Sequence, residues 1–510
     1  MKESMSIVAA PAILLFLELL ALLTINRSFC NGISDWGFFR SEKQGLLRFK
    51  QELKLPSNGL PRRNLKAAYE QPNLADVKQL PWKNLQYLDL RSNLFEGRIP
   101  IPPPGMKVFL VSNNKLTGEI PELICNMSTI EVLDLSNNSL TGIIPECLGH
   151  FSNSLRVLDL QKNQFHGNIP GVFGKDNDLR TLNMNSNFLK GPIPTSLLNC
   201  TKLEVLDLGS NSINGTFPDW LGKLPDLQVL VLHSNKFYGP VTEPKNNSYF
   251  SKLRIFDISN NNFTGLLPVK YFENMKSMMN VSGEVEKKPK YMGDSYYDDS
   301  VTLVMKNLEV KLLKILTIFC TIDFSNNHFH GTIPAVIGNF VALNNLNLSQ
   351  NSLTGKIPPL LGNLRGLESL DLSSNKLSGR IPAQLTNLTF LAVLNLSQNQ
   401  LEGPIPVGNQ FNTFSDDSYS GNPGLCGPPL TKKCNGGEAS QPFPEGDVDS
   451  NSDFGWKVVM MGYGSGTVVG LFVGSLVFLT RKPQWIVDIV EGKGHKGVRK
   501  LKSKHKIRRN

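Results

Sequence analysis

Charged residues are sparse, and the excess of positive charge is confined to one end of the chain. The 510 residues include 53 Lys+Arg and 43 Asp+Glu, which gives a net charge of +10. Residues 481–510 hold eleven basic and two acidic residues, a net +9, so the rest of the chain carries a net charge of only +1. Because a nucleic-acid-binding domain needs a basic surface on its folded body, we expect no nucleic-acid partner.

Cysteine is also sparse, and no pattern of catalytic residues is present. Seven cysteines are too few for a disulfide-dense scaffold of this size. A kinase needs a Gly-rich loop, an anchoring Lys and a catalytic Asp over several hundred residues, and residues 481–510 contain none of these. His328 and His330 are interpreted as exposed turn residues, since His166 occupies the same position in another repeat. We therefore expect no enzymatic activity, no cofactor and no metal site.

An aspartate recurs four residues before an asparagine in seven places. Paired carboxylates of this kind could suggest a glycosidase. We interpret them instead as exposed strand positions, with no cleft and no reason for unequal pKa values. They are Asp89, Asp134, Asp159, Asp207, Asp257, Asp323 and Asp371.

Long apolar runs occur only near the two ends. Residues 7–25 are apolar apart from Glu18 and precede small residues, which predicts a secretory signal peptide at residues 1–30, with an uncleaved anchor as the alternative. Residues 458–480 carry no charge and suffice to cross a bilayer as one transmembrane helix. Acidic residues precede this helix and Arg481 follows it, so the positive-inside rule places the tail in the cytoplasm and the body outside.

The body consists of one repeat of about 24 residues, Leu-x-x-Leu-x-Leu-x-x-Asn-x-Leu-x-Gly-x-Ile-Pro, present twelve times. Such a period predicts a solenoid of stacked coils. The Leu-x-Leu part alternates as a short strand, so the fold class is an α/β solenoid with a parallel concave sheet. Each Asn is expected to satisfy backbone groups of its own coil and the neighbouring coil. The Gly is expected to permit the turn, and the Pro to end the extended run that follows. The Asn column comprises Asn93, Asn114, Asn138, Asn163, Asn187, Asn211, Asn235, Asn261, Asn327, Asn351, Asn375 and Asn399.

The Leu-x-Gly-x-Ile-Pro ending resembles the plant-specific leucine-rich repeat of receptor-like proteins and receptor kinases, which form horseshoes. Residues 296–309 resemble that family's island insertion, and Gly421–Gly427 with Cys434 resemble its C-terminal cap. Gly462-Tyr463-Gly464 and residues 482–485 match its membrane-flanking signatures. The N-terminal cap cysteines of the family are missing, and its full-length members carry about twice as many repeats, so we interpret the chain as truncated on its N-terminal side, in nature or in the gene model.

The resemblance and the repeat register together divide the chain into nine segments. These are a signal peptide (1–30), a remnant N-terminal cap and linker (31–83), repeats 1–8 (84–268), an island (269–317), repeats 9–12 (318–406), a C-terminal cap (407–436), an acidic juxtamembrane segment (437–457), the transmembrane helix (458–480) and a basic cytoplasmic tail (481–510).

The resemblance implies a kinase-less receptor in the plasma membrane, a single-pass type I protein. It implies an extracellular peptide, protein or glycan ligand, and a leucine-rich-repeat receptor kinase as co-receptor. Plant defence is the expected role. A developmental peptide receptor remains an alternative, as does a truncated decoy or inhibitor of microbial wall-degrading enzymes. The basic tail is also expected to contact anionic membrane lipid.

Candidate ligand contacts come from comparing the repeats with one another. The position two residues before the ladder Asn is expected to face solvent, and it varies in repeats 1–8 while it is Ser in repeats 9–12. Neutral drift on a solvated face is the competing interpretation. The island adds tyrosines beside two aspartates. The candidates are Arg91, Gln161, Lys162, Asn185, His233, Tyr291, Tyr296, Tyr297, Asp298 and Asp299.

The remaining candidates are covalent or membrane features. Cys426 and Cys434 are expected to pair in the cap; Cys125 and Cys147 are either bridged between neighbouring coils or free. Gly462, Gly466, Gly470 and Gly474 form a helix-packing stripe at four-residue spacing in the membrane segment. Ten glycosylation sequons follow the signal: Asn126, Asn137, Asn199, Asn214, Asn246, Asn262, Asn280, Asn347, Asn387 and Asn395.

Overall fold

The computed structural model describes residues 84–150, 154–175, 177–242, 249–279, 290–294, 296–305 and 308–434. The expected signal peptide, N-terminal remnant, acidic segment, membrane helix and tail lie outside these residues. Within them, no helix is both long and apolar enough to cross a bilayer.

The repeats form a solenoid whose concave face is a parallel sheet of 12 strands, one from each coil in chain order. The strands pair in strict register, so equivalent residues of successive repeats lie side by side; Leu133, for example, pairs with Leu158. The strands are Tyr87–Asp89, Val108–Leu110, Val132–Asp134, Val157–Asp159, Thr181–Asn183, Val205–Asp207, Val229–Val231, Ile255–Asp257, Thr321–Asp323, Asn345–Asn347, Ser369–Asp371 and Val393–Asn395.

A second parallel sheet of 13 strands runs along one flank, where the sequence reads x-Leu-x-Gly after the ladder Asn. The glycine of that motif has a left-handed backbone, as at Gly142 with φ 86°, which confirms the expected turn role. The strands are Glu96–Gly97, Lys115–Gly118, Ser139–Ile143, Gln164–Asn168, Phe188–Gly191, Ser212–Gly215, Lys236–Pro240, Asn262–Leu266, His328–Thr332, Ser352–Gly355, Lys376–Gly379, Gln400–Pro404 and Gly424–Cys426.

Short helices follow the Ile-Pro turn on the convex side, because proline suits the position that precedes a helical turn. The 3₁₀ helices are Glu122–Asn126, Thr195–Asn199, Asp219–Lys223, Ala335–Asn339, Pro359–Asn363, Ala383–Asn387, Asn409–Thr413 and Asp416–Ser418. The α-helices are Cys147–His150, Val269–Asn274 and Lys276–Met279. The last two pack Tyr271, Phe272 and Met278 into the repeat core, so residues 269–279 of the expected island belong to the packing of the repeats.

The ladder asparagines confirm their expected role. Asn138 donates from Nδ2 to the Leu135 carbonyl of its own coil and to the Val111 carbonyl of the preceding coil, both at 3.1 Å. Its Oδ1 accepts the Leu116 N–H at 3.0 Å. Asn422 in the C-terminal cap repeats this pattern with Leu396 and Leu401, so the ladder has a thirteenth member that the sequence analysis missed.

Candidate ligand-binding face

The island folds back over the concave sheet of the first eight repeats. It forms two antiparallel ribbons, Gly293–Asp294 with Tyr297–Asp298 and Val301–Met305 with Leu308–Leu312. Tyr296 reaches the first repeat, where its ring lies 4.4 Å from the ring of Tyr87. Since adjacent strands are about 4.8 Å apart, the seven steps between the first and eighth strands correspond to about 34 Å of covered face.

Apolar side chains fasten the island to repeats 6–8. Met292, Val301 and Leu303 of the island are at most 5% exposed. They pack with Ile315 against four concave residues, Val205, Val229, Val231 and Ile255. Burial of an aliphatic side chain of this size stabilises a structure by about 1.5–3 kcal/mol. The sequence contained a signal for this contact. The residue that begins each concave strand, here called the strand-initial column, is Val or Ile in six of the first eight repeats. An apolar side chain at this position has no packing partner unless another segment covers it.

Tyr297 fastens the island to repeats 2–4. Its ring packs against Val108, Val132 and Val157, and its hydroxyl donates to Asp159 Oδ2 at 2.7 Å. Burial raises the pKa of Asp159 to about 7, with the neighbouring Asp134 adding to the effect. Burial likewise raises the pKa of Tyr297 well above its usual value, so the phenol is the donor in this bond.

Asp299 forms the third fastening, an ion pair under the island. Its carboxylate accepts from Arg180 Nη1 and from Thr181 Oγ1, each at 2.8 Å, and its side chain is 0% exposed. Arg180 also lies 3.6 Å from Glu204. Burial raises the pKa of Asp299, and Arg180 and Thr181 offset only part of that shift. The pair therefore joins the island to the start of the fifth concave strand.

Four of the ten predicted ligand contacts are buried, which corrects the sequence analysis. Tyr297 and Asp299 face the repeats and not solvent, and Gln161 and Asn185 are only 4% and 2% exposed. Gln161 Nε2 donates to Asp159 Oδ2 and lies 3.5 Å from Ser300 Oγ of the island. The position two residues before the ladder Asn was expected to face solvent. At Gln161 and Asn185 it does not, because the strands are so close together that neighbouring side chains and the island cover these residues.

The recurrent aspartates are also buried, contrary to expectation, except for the exposed Asp89. Asp134, Asp159, Asp207, Asp257, Asp323 and Asp371 are at most 8% exposed. Each accepts the N–H of the residue two positions on, as Asp257 does from Ser259 at 3.0 Å. Burial raises the pKa of Asp257 to about 6, and burial together with Asp257 raises the pKa of Asp323 to about 7. The carboxylates are therefore turn-forming groups.

The remaining concave candidates differ in exposure. Arg91 is exposed and pairs with Asp89 through Nε and Nη2 at 3.0 and 2.8 Å, and the Asp89 hydrogen bond raises the arginine's pKa. Lys162 is half-buried, with a left-handed φ of 54°. His233 is half-buried, and its Nε2 lies 3.5 Å from Asn185 Nδ2. These two side chains meet across the Gly209 strand, where an added Cβ would lie 2.6 Å from each of them.

The outer side of the island presents the other candidates to solvent. Tyr291 is 46% exposed and Tyr296 is 38% exposed. Lys314 lies over the Tyr291 ring, 5.8 Å from its centroid, and contacts Asp298 at 2.9 Å. Leu313 beside them is 71% exposed. This outer face, defined by Tyr291, Asp298, Leu313 and Lys314, is adjacent in sequence to repeat 9, where the strand-initial column becomes polar.

The structure joins Cys426 to Cys434 and Cys125 to Cys147, with Cα–Cα distances of 5.0 and 5.9 Å. Cys200 and Cys320 are buried and free. Among the sequon asparagines, Asn246 and Asn280 lie outside the described residues, as do the four membrane glycines. Asn126, Asn137, Asn214, Asn262 and Asn387 are exposed; Asn199, Asn347 and Asn395 are half-buried.

Comparison with known proteins identifies the repeat and its relatives. Models described as Leucine rich repeat match residues 104–165 and 177–237, and a second repeat model matches 84–106, 252–271, 342–364 and 366–388. Receptor-like protein 33 of Arabidopsis thaliana is 42% identical over 418 residues, which cover 80% of this chain and 47% of that protein. Receptor-like protein 53 of Arabidopsis thaliana is 44% identical over 413 residues, covering 79% and 42%. The chain thus spans about half the length of the curated relatives it matches.

Solved structures give a looser match. The Arabidopsis receptor kinase HAESA ectodomain in complex with an N-terminally extended IDA peptide hormone is 32% identical, with a TM-score of 0.49, over 68% of this chain and 55% of that one. An overlap of that extent transfers neither a ligand nor a binding site.

Proposed function

Because the chain belongs to the plant leucine-rich-repeat receptor-like proteins, we propose that it is a cell-surface receptor that binds an extracellular peptide, protein or glycan. In this proposal its signal passes through a partner receptor kinase, as the family resemblance implies. The proposed residence is the plasma membrane, with the repeats outside and residues 481–510 in the cytoplasm. Defence against microbes is the proposed role, supported by the family resemblance alone.

The observation that carries the proposal is the set of exposed groups on the outer face of the island. Repeats 1–8 are covered by apolar and hydrogen-bonded contacts and offer little free surface. The residues that begin the concave strands of repeats 9–11 are polar but also buried, since Thr321, Asn345 and Ser369 are at most 5% exposed. The outer face of the island, in contrast, presents to solvent an aromatic ring, an ion pair and an exposed leucine. Aromatic and charged groups of this kind dominate binding energy at protein interfaces.

A partner kinase is supported by different residues. The expected membrane helix at residues 458–480 carries glycines at four-residue spacing, and small residues let two helices approach closely in lipid. The acidic segment before the helix and the basic tail after it give a partner with complementary charge two further contacts. The tail's basic residues also suit anionic lipid at the inner leaflet.

The test removes the outer face of the island while leaving its docking contacts in place. We would express the full chain in leaf cells and apply two probes, leaf extracellular wash fluid and culture filtrates of leaf-infecting microbes, with calcium influx as the readout. The double variant Tyr291→Ala/Leu313→Ala should require at least about tenfold more of the active probe, the effect of about 1.4 kcal/mol of lost binding energy.

A matched control removes exposed aromatic residues elsewhere. Phe188 and Tyr238 lie on the flank sheet and are 64% and 53% exposed, so Phe188→Ala/Tyr238→Ala removes similar surface away from the concave side. This variant should respond like the wild type, with equal surface delivery. An unchanged dose response in the island variant, or an equal loss in the control, would remove the outer face from the ligand site.

A further inference from the structure

Tyr238 stands exposed on the outer side of the flank sheet. It lies in the strand Lys236–Pro240, where the preceding Phe237 is 1% exposed and points into the core, while Tyr238 is 53% exposed. Among the residues that the structure describes, no ring contact or hydrogen bond of the Tyr238 side chain occurs. A single exposed tyrosine is ordinary on a protein surface. The residue that lies beside it on the next strand, however, changes the interpretation.

The neighbouring strand, Asn262–Leu266, places Asn262 directly beside that ring. Tyr238 pairs in register with Asn262, so their Cα atoms are about 4.8 Å apart and their side chains leave the sheet on the same side. Asn262 is exposed, whereas the next residue, Phe263, is buried. Asn262-Phe263-Thr264 is a sequon, the sequence to which the secretory pathway attaches a glycan. The fold thus brings an acceptor asparagine and an aromatic ring together from two successive coils.

The sequon asparagines differ in what their amide nitrogens already bind. In four of them Nδ2 donates a hydrogen bond within the solenoid, namely in Asn137, Asn199, Asn347 and Asn395. Four others are exposed and make no such bond within the described part of the chain, namely Asn126, Asn214, Asn262 and Asn387. Nδ2 of Asn262 is therefore free to carry a sugar without loss of a contact to the repeats.

We propose that Asn262 carries an N-linked glycan whose first N-acetylglucosamine packs on the ring of Tyr238. Sugar and ring then cover the flank of repeats 7 and 8, which closes that part of the surface to a protein partner. The inference rests on the proposed extracellular location of the repeats, and on neither the ligand nor the kinase partner.

The attachment requires a donor from the secretory pathway, a lipid-pyrophosphate-linked oligosaccharide. Nδ2 of Asn262 attacks C1 of the first sugar, so a C1–N bond forms while the C1–O bond to the pyrophosphate breaks. Nδ2 gives up one proton, and the lipid pyrophosphate leaves. The product keeps one amide N–H and places the sugar ring next to the carboxamide, on the outer side of the flank sheet.

Reach and surface chemistry both favour packing of that sugar on Tyr238. A sugar joined to Nδ2 begins beyond the carboxamide, at the height of the outer half of a tyrosine ring on the adjacent strand. The strand spacing of about 4.8 Å lies within the range of about 4.5–7 Å at which rings stack. A pyranose presents C–H groups with partial positive charge, which suit the negative face of an aromatic ring.

Two other positions on the same sheet show why the pair is specific. Asn214 is an exposed sequon asparagine, yet it pairs in register with Lys236, whose side chain offers no flat surface. Phe188 is an exposed ring, yet it pairs with His166, which accepts no N-linked glycan. Among the described strand pairs of the flank sheet, a ring and an acceptor asparagine meet only at Tyr238 and Asn262.

The test measures how fast a glycosidase releases the glycan from the native protein. The full chain would be produced in cells whose glycans lack core fucose, purified in detergent and treated with peptide N-glycosidase. Mass spectrometry would first establish occupancy and then follow release at Asn262 relative to the other occupied sequons. An association constant of about 3 between ring and sugar, within the range for aromatic cross-strand pairs, leaves about a quarter of the glycans uncovered at any time.

Three variants separate the ring from other effects. Tyr238→Ala should speed release at Asn262 about fourfold, because every glycan is then uncovered. Tyr238→Phe keeps the ring and loses only the hydroxyl, so it should release at the wild-type rate. Phe188→Ala is the matched control, since it removes an exposed ring of the same sheet that has no sequon beside it, and it should change nothing.

Each outcome decides between the inference and its premise. Glycans at Asn126 or Asn214 with none at Asn262 would overturn the inference and leave the extracellular location intact. A chain without any glycan would overturn both. Equal release from the wild type and Tyr238→Ala would show that the ring does not hold the sugar. An equal acceleration in Phe188→Ala would lead to the same conclusion.

Discussion

The ladder asparagine Asn163 offers a direct test of how the coils are held together. Its Nδ2 lies 3.0 Å from the Leu135 carbonyl of the preceding coil and 3.2 Å from the Leu160 and Gln161 carbonyls of its own coil. Its Oδ1 accepts the Leu140 N–H at 3.0 Å. The side chain is 7% exposed, so water has little access to replace these bonds. We predict that Asn163→Ala destabilises the solenoid severely.

The magnitude follows from the groups left without partners. Truncation orphans the Leu140 N–H and weakens the bonding of the Leu135 and Leu160 carbonyls. A buried polar group that loses its partner costs about 1–3 kcal/mol. The lost partner of the Leu140 N–H, together with the weakened bonding of the two carbonyls, should therefore lower the free energy of unfolding by about 3–4 kcal/mol. Since each coil contacts only its neighbours, the loss acts on the contact between two coils and not on the array as a whole.

The assay is urea-induced unfolding of the full chain in detergent, with hydrogen exchange used to locate the weakened coils. Asn168→Ala is the control, since Asn168 is an exposed asparagine of the same coil and its replacement should change stability by less than about 0.5 kcal/mol. Exchange should accelerate between residues 132 and 168 and remain slow near residue 370. If Asn163→Ala unfolds at the same urea concentration as Asn168→Ala, the ladder is not what joins the coils.

Three further changes have definite expected outcomes. Gly209→Ala places a methyl group 2.6 Å from two polar side chains of the neighbouring strands, so it should cost about 1–3 kcal/mol in the same urea assay, where no loss would mean that those side chains move freely. Tyr419→Phe should be neutral or stabilising by about 1 kcal/mol, because the Tyr419 hydroxyl is buried with no hydrogen-bond partner among the described residues; a loss of stability would reveal one. Gly466→Leu/Gly470→Leu should reduce co-precipitation of receptor kinases from membranes while surface delivery stays normal, and full retention of the complex would exclude the glycine stripe as the docking surface.

The sequence was sufficient for the strands, the ladder asparagines and the glycine turns, although it misjudged the exposure of the recurrent aspartates. A 24-residue period, an alternating Leu-x-Leu and an invariant Asn each act within one coil or between adjacent coils, so their geometry is the same every time. The strand register, the Asn138 hydrogen bonds and the turn at Gly142 were predicted for that reason. Asn422 was missed although it lies 23 residues after Asn399, because the cap sequence around it departs from the leucine pattern.

The candidate site was less predictable because it depends on contacts between distant parts of the chain. Tyr297 and Asp159 are 138 residues apart, and Asp299 and Arg180 are 119 apart. Nothing in a single repeat indicates which strand an insertion will cover. The island tyrosines that were predicted to contact a ligand are therefore of two kinds. Tyr291 lies exposed on the outer face, and Tyr297 packs against the sheet. The apolar strand-initial column was the available clue, since valines on a concave face imply a cover.

The buried carboxylates have a structural reason to be present that is independent of the island. In each coil with such an aspartate, its Oδ1 accepts the N–H of the residue two positions later, and the residue just before the ladder Asn has a left-handed φ. In the eighth repeat, for example, Asp257 accepts from the Ser259 N–H, and Asn260 has a φ of 53°. The Asp column thus closes the turn by which each of these seven strands leaves the concave face. An aspartate retained for the turn therefore also presents its other oxygen to any segment that covers the strand. At Asp159 that segment is the island, since Tyr297, 138 residues away in sequence, donates its hydroxyl to Oδ2.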